Sequence, residues 1–312
     1  MPPPPPEQRW TNLSCGLLTI LAGGTVYSYG AYSNGLKENL GLSQAQLEYA
    51  ALSANVGNYI GVAGFFYDRF GAVASVRFGC LLIGFGYGAQ WLLMARGGGV
   101  FGPGDATGLL CVCCFIWGHG SGYLDCAAIG TGVASFPRRR GAVVGLLKSL
   151  YGLASSMVVL LCAYWTSSTG FVAALALLAF ALPAGASLKM KDAAPAPDDS
   201  DADDAAAGGA LDRGALRVVG LAGLALAVAV ARIVAPTMFD STAADVIVAL
   251  AVVAGVAWVV GGAAVAPKVA IGAAEHNPLH VAADDLHVDD DDDDDADEQD
   301  AAAAIASPAK AK

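Results

Sequence analysis

Asp125 and Lys148 are the residues of this chain best placed to do chemistry. Both are ionisable, and each lies in an apolar, glycine-rich run long enough to cross a bilayer, roughly 20 residues for about 30 Å of hydrocarbon. Between them stands a basic elbow, Phe136-Pro137-Arg138-Arg139-Arg140-Gly141. At about 1.5 Å per helical residue, Asp125 lies roughly 17 Å inside the Pro137 end and Lys148 about 10 Å inside the Gly141 end. Antiparallel neighbours at those depths can bring the two groups together, because lysine stretches along its stem. Pairing lowers the desolvation cost of both. It also makes a two-state element that a proton or an anionic solute can disturb. The plainer alternative is a static ion pair that fastens two helices. Ionisable groups at membrane depth mark substrate or proton routes by default.

Other polar groups share that depth. Asn55 and Asn58 are a turn apart on one helix face. His119 and Tyr123 are four apart in the run that carries Asp125, and Tyr151 follows Lys148 by three. These residues line one cavity if the first, second, fourth and fifth spans surround it. Taken singly, the asparagines read as interhelical glue and the histidine as a packed group. Gly118-His119-Gly120-Ser121-Gly122 sits mid-span with no strand before it, which excludes a phosphate loop and a serine-hydrolase elbow. Cys111-Val112-Cys113-Cys114 lacks a second cysteine pair or a spaced histidine, so it reads as small, lipid-compatible filler. Neither metal nor cofactor is expected, and enzyme activity is not.

The elements that position these groups follow from composition. Of 312 residues, 55% are apolar and 14% charged, with mean hydropathy +0.54. That charge fraction is well below the roughly 25% of soluble domains, so the class is an all-α, polytopic membrane helix bundle. Seven of the 28 acidic residues fall in 189–214 and 13 in 267–312, so the net charge of −11 describes the linker and tail. Nucleic-acid binding has no support. The seven cysteines give no disulfide framework, and no removable signal peptide is expected.

Residues 1–8 read as a disordered, proline-rich stub. Spans are expected at roughly 10–33, 45–67, 72–95, 108–136, 142–165 and 171–188. Residues 189–214 read as a disordered acidic linker. Two Ala/Val-rich spans follow, roughly 216–235 and 242–266, within residues 215–266. The tail 267–312, with its aspartate run, reads as disordered. Arg77 and Arg232 lie near span ends and are expected to snorkel. Short-loop lysines and arginines favour one side: Arg9, Arg69, Arg138, Arg139, Arg140, Lys189, Lys191, Arg213, Arg217 and Lys268 against Lys37 and Arg96. Both termini, the turn at Asp68 and the elbow at Pro137 are therefore expected in the cytosol. That topology also hides the sequon Asn12-Leu13-Ser14. Which membrane holds the chain is not specified. Glycines at small-xxx-small spacing, such as Gly57/Gly61 and Gly118/Gly122, predict close helix packing.

Gly64-Phe65-Phe66-Tyr67-Asp68-Arg69-Phe70-Gly71 resembles the G-x-x-x-D-R-x-G signature of the major facilitator superfamily. Tyr27-Ser28-Tyr29-Gly30-Ala31-Tyr32-Ser33 is similar to the nodulin-like branch of that superfamily. So is Phe136-Pro137-x-x-Arg140-Gly141-x-x-x-Gly145-x-x-Lys148. The resemblance covers about residues 8–188, the N-terminal six-helix half. It implies a transporter working by alternating access. Gly64, Asp68, Arg69 and Gly71 would form the cytosolic gate. Lys148, Tyr27 and the polar residues of span four would face the path. Two basic residues usually end the first signature, whereas Ala72 and Val73 stand here.

Carriers of this type have about twelve spans in two similar halves. The eight expected here mean a truncated chain, a degenerate second half, or two chains meeting to form a path. The expected function is carriage of a small polar solute, organic anion or amino-acid-like. The alternative is a non-transporting scaffold or regulator descended from a carrier. The expected partners are the lipid bilayer, the solute and, as a candidate, a second copy of the chain.

Overall fold

The computed structural model describes residues 5–97, 103–162, 167–192, 201–234 and 246–261. Every element among them is helical, and the molecule is an all-α, multi-pass membrane bundle. The elements are α1 (Pro6–Gly23), α2 (Tyr29–Leu40), α3 (Gln44–Tyr59), α4 (Val62–Arg96), α5 (Pro103–Ser135), α6 (Arg140–Cys162), α7 (Ser168–Ser187) and α8 (Asp201–Val234). A further apolar helix, α9, spans Val246–Gly261.

The first span is longer than expected and is interrupted. Pro6 opens α1, where a missing N–H costs nothing, so residues 6–8 belong to the helix. At Gly24–Ser28 the chain tightens into a 3₁₀ turn and then continues as α2. Gly24 is needed there because any Cβ would collide with the Tyr151 carbonyl of α6. The gap between the first two expected spans, 34–44, shrinks to a three-residue loop, 41–43. Gly41 ends α2 in the left-handed region at φ 65°, and Ser43 with Gln46 forms a capping box that starts α3.

The second span breaks at Gly61, φ 81°, which separates α3 from α4. Gly71 then bends α4 at φ 84° and ψ 178°. Contacts with α5 show that the chain reverses there. Gly118, Gly122 and Gly130 meet Ala54, Asn58 and Tyr67 in rising order. Beyond the bend, Gly79 and Gly86 meet Leu124 and Trp117 in falling order. The expected turn at Asp68–Gly71 is therefore a helix reversal. The expected elbow is also present: α5 ends at Ser135, and Pro137–Arg139 form a 3₁₀ turn before α6.

The basic end is tied together by residues outside these turns. Asn12 is fully buried; its amide donates to the Lys191 carbonyl at 3.1 Å and accepts from the Lys191 N–H at 3.1 Å. Gln8 donates to the Lys189 carbonyl at 3.3 Å. The Asp192 carboxylate accepts from the Val73 N–H at 3.1 Å, just beyond the bend. Trp10 packs edge-on against Phe136 at 4.8 Å, with the Arg9 guanidinium over the same ring at 5.6 Å.

The linker expected at 189–214 is ordered in two parts. Lys189–Asp192 dock as just described, and residues from 201 form the start of α8. Alanine is the strongest helix former, and half of the ten residues from Asp201 to Ala210 are alanine, with aspartates in the first turn where the helix N-terminus favours them. Helices α8 and α9 pack on the α1–α6 side, where Leu211, Val218, Leu221, Val248 and Val252 share a core with Leu13, Leu17, Leu146 and Leu150. Residues 1–4, the linker part 193–200 and the tail expected to be disordered, 267–312, lie outside the described residues.

Candidate functional site

The Lys148 ammonium lies 2.8 Å and 2.7 Å from the two carboxylate oxygens of Asp125. The depths counted along the two helices therefore do bring the charges together across the Pro137 elbow. The pair is not enclosed: the Lys148 side chain is 46% exposed and that of Asp125 24%. In this chain alone it sits on a surface.

Tyr151 anchors the pair from below. The ammonium stands 5.0 Å over the Tyr151 ring, a cation–π contact. The Tyr151 hydroxyl is 2.9 Å from the Ser121 hydroxyl, which donates to the Gly23 carbonyl at 2.9 Å. That carbonyl lies where the first span tightens into the 3₁₀ turn. The end of α1 is thus linked through Ser121 to the tyrosine that carries the lysine. The sequence does not signal Ser121, because it sits inside a glycine run that reads as packing.

Tyr27 lies edge-on to Tyr151, with ring centroids 5.3 Å apart. It also lines a cavity of about 280 Å³ with Val26, Tyr29, Asn55, Asn58, Trp117 and Gly118. The asparagines and Tyr27 thus share one cleft, and Tyr27 joins it to the charge pair. Gly118 and Gly122 are what let α3 approach α5 there: a Cβ on Gly122 would sit 2.8 Å from the Asn58 carbonyl.

His119 and Tyr123 lie elsewhere. The His119 Nδ1 is 2.9 Å from the Gly57 carbonyl, near the end of α3. Its ring meets Tyr123 edge-on at 5.0 Å. Tyr123 packs against Phe66 and Phe78 of α4 at 5.3 Å and 5.0 Å. These two side chains therefore join an aromatic cluster between α4 and α5 and are not among the residues lining the cleft.

At the gate motif, Gly64 is partly buried and Asp68 and Arg69 are exposed beside the Gly71 bend. The carboxylate seated on backbone there is that of Asp192. In the elbow, the Arg139 guanidinium packs over Gly208 of α8, while Arg138, Arg140 and Gly141 line the turn and the first residues of α6.

The geometry can be set beside known proteins. A stretch of 151 residues is 27% identical to "Protein NUCLEAR FUSION DEFECTIVE 4" of Arabidopsis thaliana, covering 48% of this chain and 25% of that protein. A stretch of 149 residues is 31% identical to the "Oxalate:formate antiporter" of Oxalobacter formigenes, covering 46% of this chain and 33% of that protein. The chain thus aligns with a quarter to a third of the length of these relatives. No solved structure matches it. The family model described as Nodulin-like matches residues 9–260, from α1 through nearly all of α9. On that match, the chain belongs to the Nodulin-like family.

Proposed function

We propose that this chain is a membrane transporter that carries a small organic anion by alternating access. The observation that carries the reading is the Asp125–Lys148 pair, with Nζ–O distances of 2.7 and 2.8 Å, set beside a polar cleft. A solute carboxylate can replace Asp125 on the ammonium, because the two anions offer the same bidentate acceptor. Displaced Asp125 then takes a proton or turns to solvent, which couples binding to a charge change. Tyr27, Asn55 and Asn58 supply neutral hydrogen-bonding groups to orient the solute. Tyr151 and Ser121 hold the lysine in place. The similarity to a protein named for oxalate and formate favours anions over amino-acid-like solutes.

Gly64, Asp68, Arg69 and Gly71 form the cytosolic gate in this reading. Both termini and the Pro137 elbow face the cytosol, in keeping with the basic residues gathered at that end.

Uptake of radiolabelled oxalate, formate and small amino acids into proteoliposomes tests the proposal. Lys148→Met should abolish anion uptake, and Asp125→Asn should reduce it, with both proteins eluting as the parent does. Undiminished uptake by both variants overturns the assignment.

A further inference from the structure

On the side of the bundle formed by α4 and α7, two contacts set these helices antiparallel. Asp192, just past the end of α7, meets Val73 at the Gly71 bend. Higher up, Phe180 seats on Gly84, where a Cβ would lie 2.9 Å from the Phe180 Cβ. Around and above that second contact a lateral, wholly apolar groove of about 490 Å³ runs between the helices. Its floor is made of small, half-buried residues, Gly84, Ala173 and Ala176. Its rims are bulky and exposed, Phe85 by 66% and Leu177 by 68%. Gly88 continues the stripe of Gly84 toward Trp91, and a Cβ there would meet nothing within 4 Å. Helices α8 and α9 attach on the α1–α6 side, and the groove shares no lining residue with the cleft beside Tyr27.

We infer that this groove holds one acyl chain of an anionic phospholipid, in the leaflet away from the Pro137 elbow. Depth is the first argument. Arg96, at the end of α4, and Ser168, at the start of α7, are each twelve residues from the Gly84–Phe180 contact. The contact therefore lies about 18 Å below both helix ends, at about 1.5 Å per residue. The lining residues stop at Leu81 and Phe180. The groove thus follows one leaflet, about half of the roughly 30 Å of hydrocarbon. A partner helix crosses both leaflets and would outrun it. A lipid chain ends at the midplane and fits.

Charge is the second argument. Arg96 stands exposed in the last turn of α4, three turns above Phe85 on the same stripe. A chain whose end rests by Phe180 carries its phosphate to that level, where the guanidinium fork can donate to two phosphate oxygens at once. A headgroup of net negative charge brings no cation to oppose Arg96, as choline would. Trp91, at the upper rim and 41% exposed, lies about 8 Å inside Arg96, at the depth where tryptophan borders the headgroups.

Fluorescence quenching in nanodiscs tests the site. Discs of phosphatidylcholine carry a small fraction of chain-brominated lipid, either phosphatidylglycerol or phosphatidylcholine. The difference between the parent chain and Trp91→Phe isolates the Trp91 signal. Brominated phosphatidylglycerol should quench Trp91 about fivefold more effectively than brominated phosphatidylcholine, the advantage one basic residue gives an anionic lipid. Arg96→Gln should bring the two lipids to parity. Gly88→Leu fills the groove and should do the same, with a melting temperature no lower than the parent's. Native mass spectrometry is the independent reading: the parent should retain one phosphatidylglycerol and Gly88→Leu none. Equal quenching by the two lipids in the parent means an ordinary lipid annulus and overturns the site. So does a preference that survives Arg96→Gln or Gly88→Leu, or stronger quenching by a brominated sterol.

Discussion

Lys148 holds Asp125 by a charge-assisted contact, and the two readings of that contact predict different things. A structural pair needs opposite charges, in either order. A solute site needs the cation at the place where the anion binds. The exchanged double variant Asp125→Lys/Lys148→Asp should therefore express and elute like the parent yet lose anion uptake. Hydrogen bonds to charged groups contribute about 1.5–3 kcal/mol, so roughly a ten- to hundredfold loss is expected. Uptake retained by the exchanged variant would make the pair a fastener only. Ser121 is tested by stability. Its hydroxyl bridges Gly23 and Tyr151 in a buried setting. Ser121→Ala should cost about 1–3 kcal/mol through the acceptor left unpaired. The measurement is a thermal melt of purified protein, and an unchanged melt would show that the bridge contributes nothing.

At the scale of elements, the turns of this bundle are written in single residues. Pro137 and Gly71 announce where helices must end, because one lacks an N–H and the other alone tolerates φ 84°. Both turns are therefore legible in the sequence. The breaks at Gly24 and Gly61 are not, since glycine is common within membrane helices. Only the Tyr151 carbonyl pressed against Gly24 shows why a glycine stands there. The charge pair is legible from depth arithmetic. The place of His119 is not, because periodicity fixes a face of α5 without saying which helix covers it. Asp192 is equally hidden, 119 residues from its partner Val73. A Cβ on Gly71 would sit 2.6 Å from the Asp192 Oδ1. Gly71→Ala should thus destabilise twice, by collision and by its positive φ. Adding Asp192→Ala should relieve the collision and leave the backbone penalty of roughly 1–3 kcal/mol. Melting temperatures of the three variants decide this. No recovery in the double variant would mean that Asp192 does not press on the bend.

Across the whole molecule, α8 and α9 are a layer added to the face of α1 and α6 opposite in character to the cleft wall. Their sequences carry almost no information beyond apolarity, and what positions them is packing at a few points. Leu221 of α8 is buried and reaches to 2.5 Å from where a Cβ on Gly255 of α9 would lie. The Arg217 guanidinium sits 5.5 Å over the Trp258 ring and donates to the Trp258 carbonyl at 3.4 Å. In lipid an apolar helix gains nothing by leaving acyl chains for another apolar helix, so close packing must supply the attachment. A single methyl at Gly255 can be met by a rotamer change in Leu221, because the crowding atom is the end of a flexible side chain. A branched residue cannot. Gly255→Ala should therefore leave α9 seated, while Gly255→Leu should push it from α8 and break the Arg217–Trp258 contact. Limited proteolysis in nanodiscs reads the difference as faster cleavage between residues 235 and 245 in the leucine variant alone. Uptake should persist in that variant, because the Asp125–Lys148 pair and the cleft beside Tyr27 draw no residue from α9. Loss of uptake with α9 still protected would tie this outer layer to the solute path.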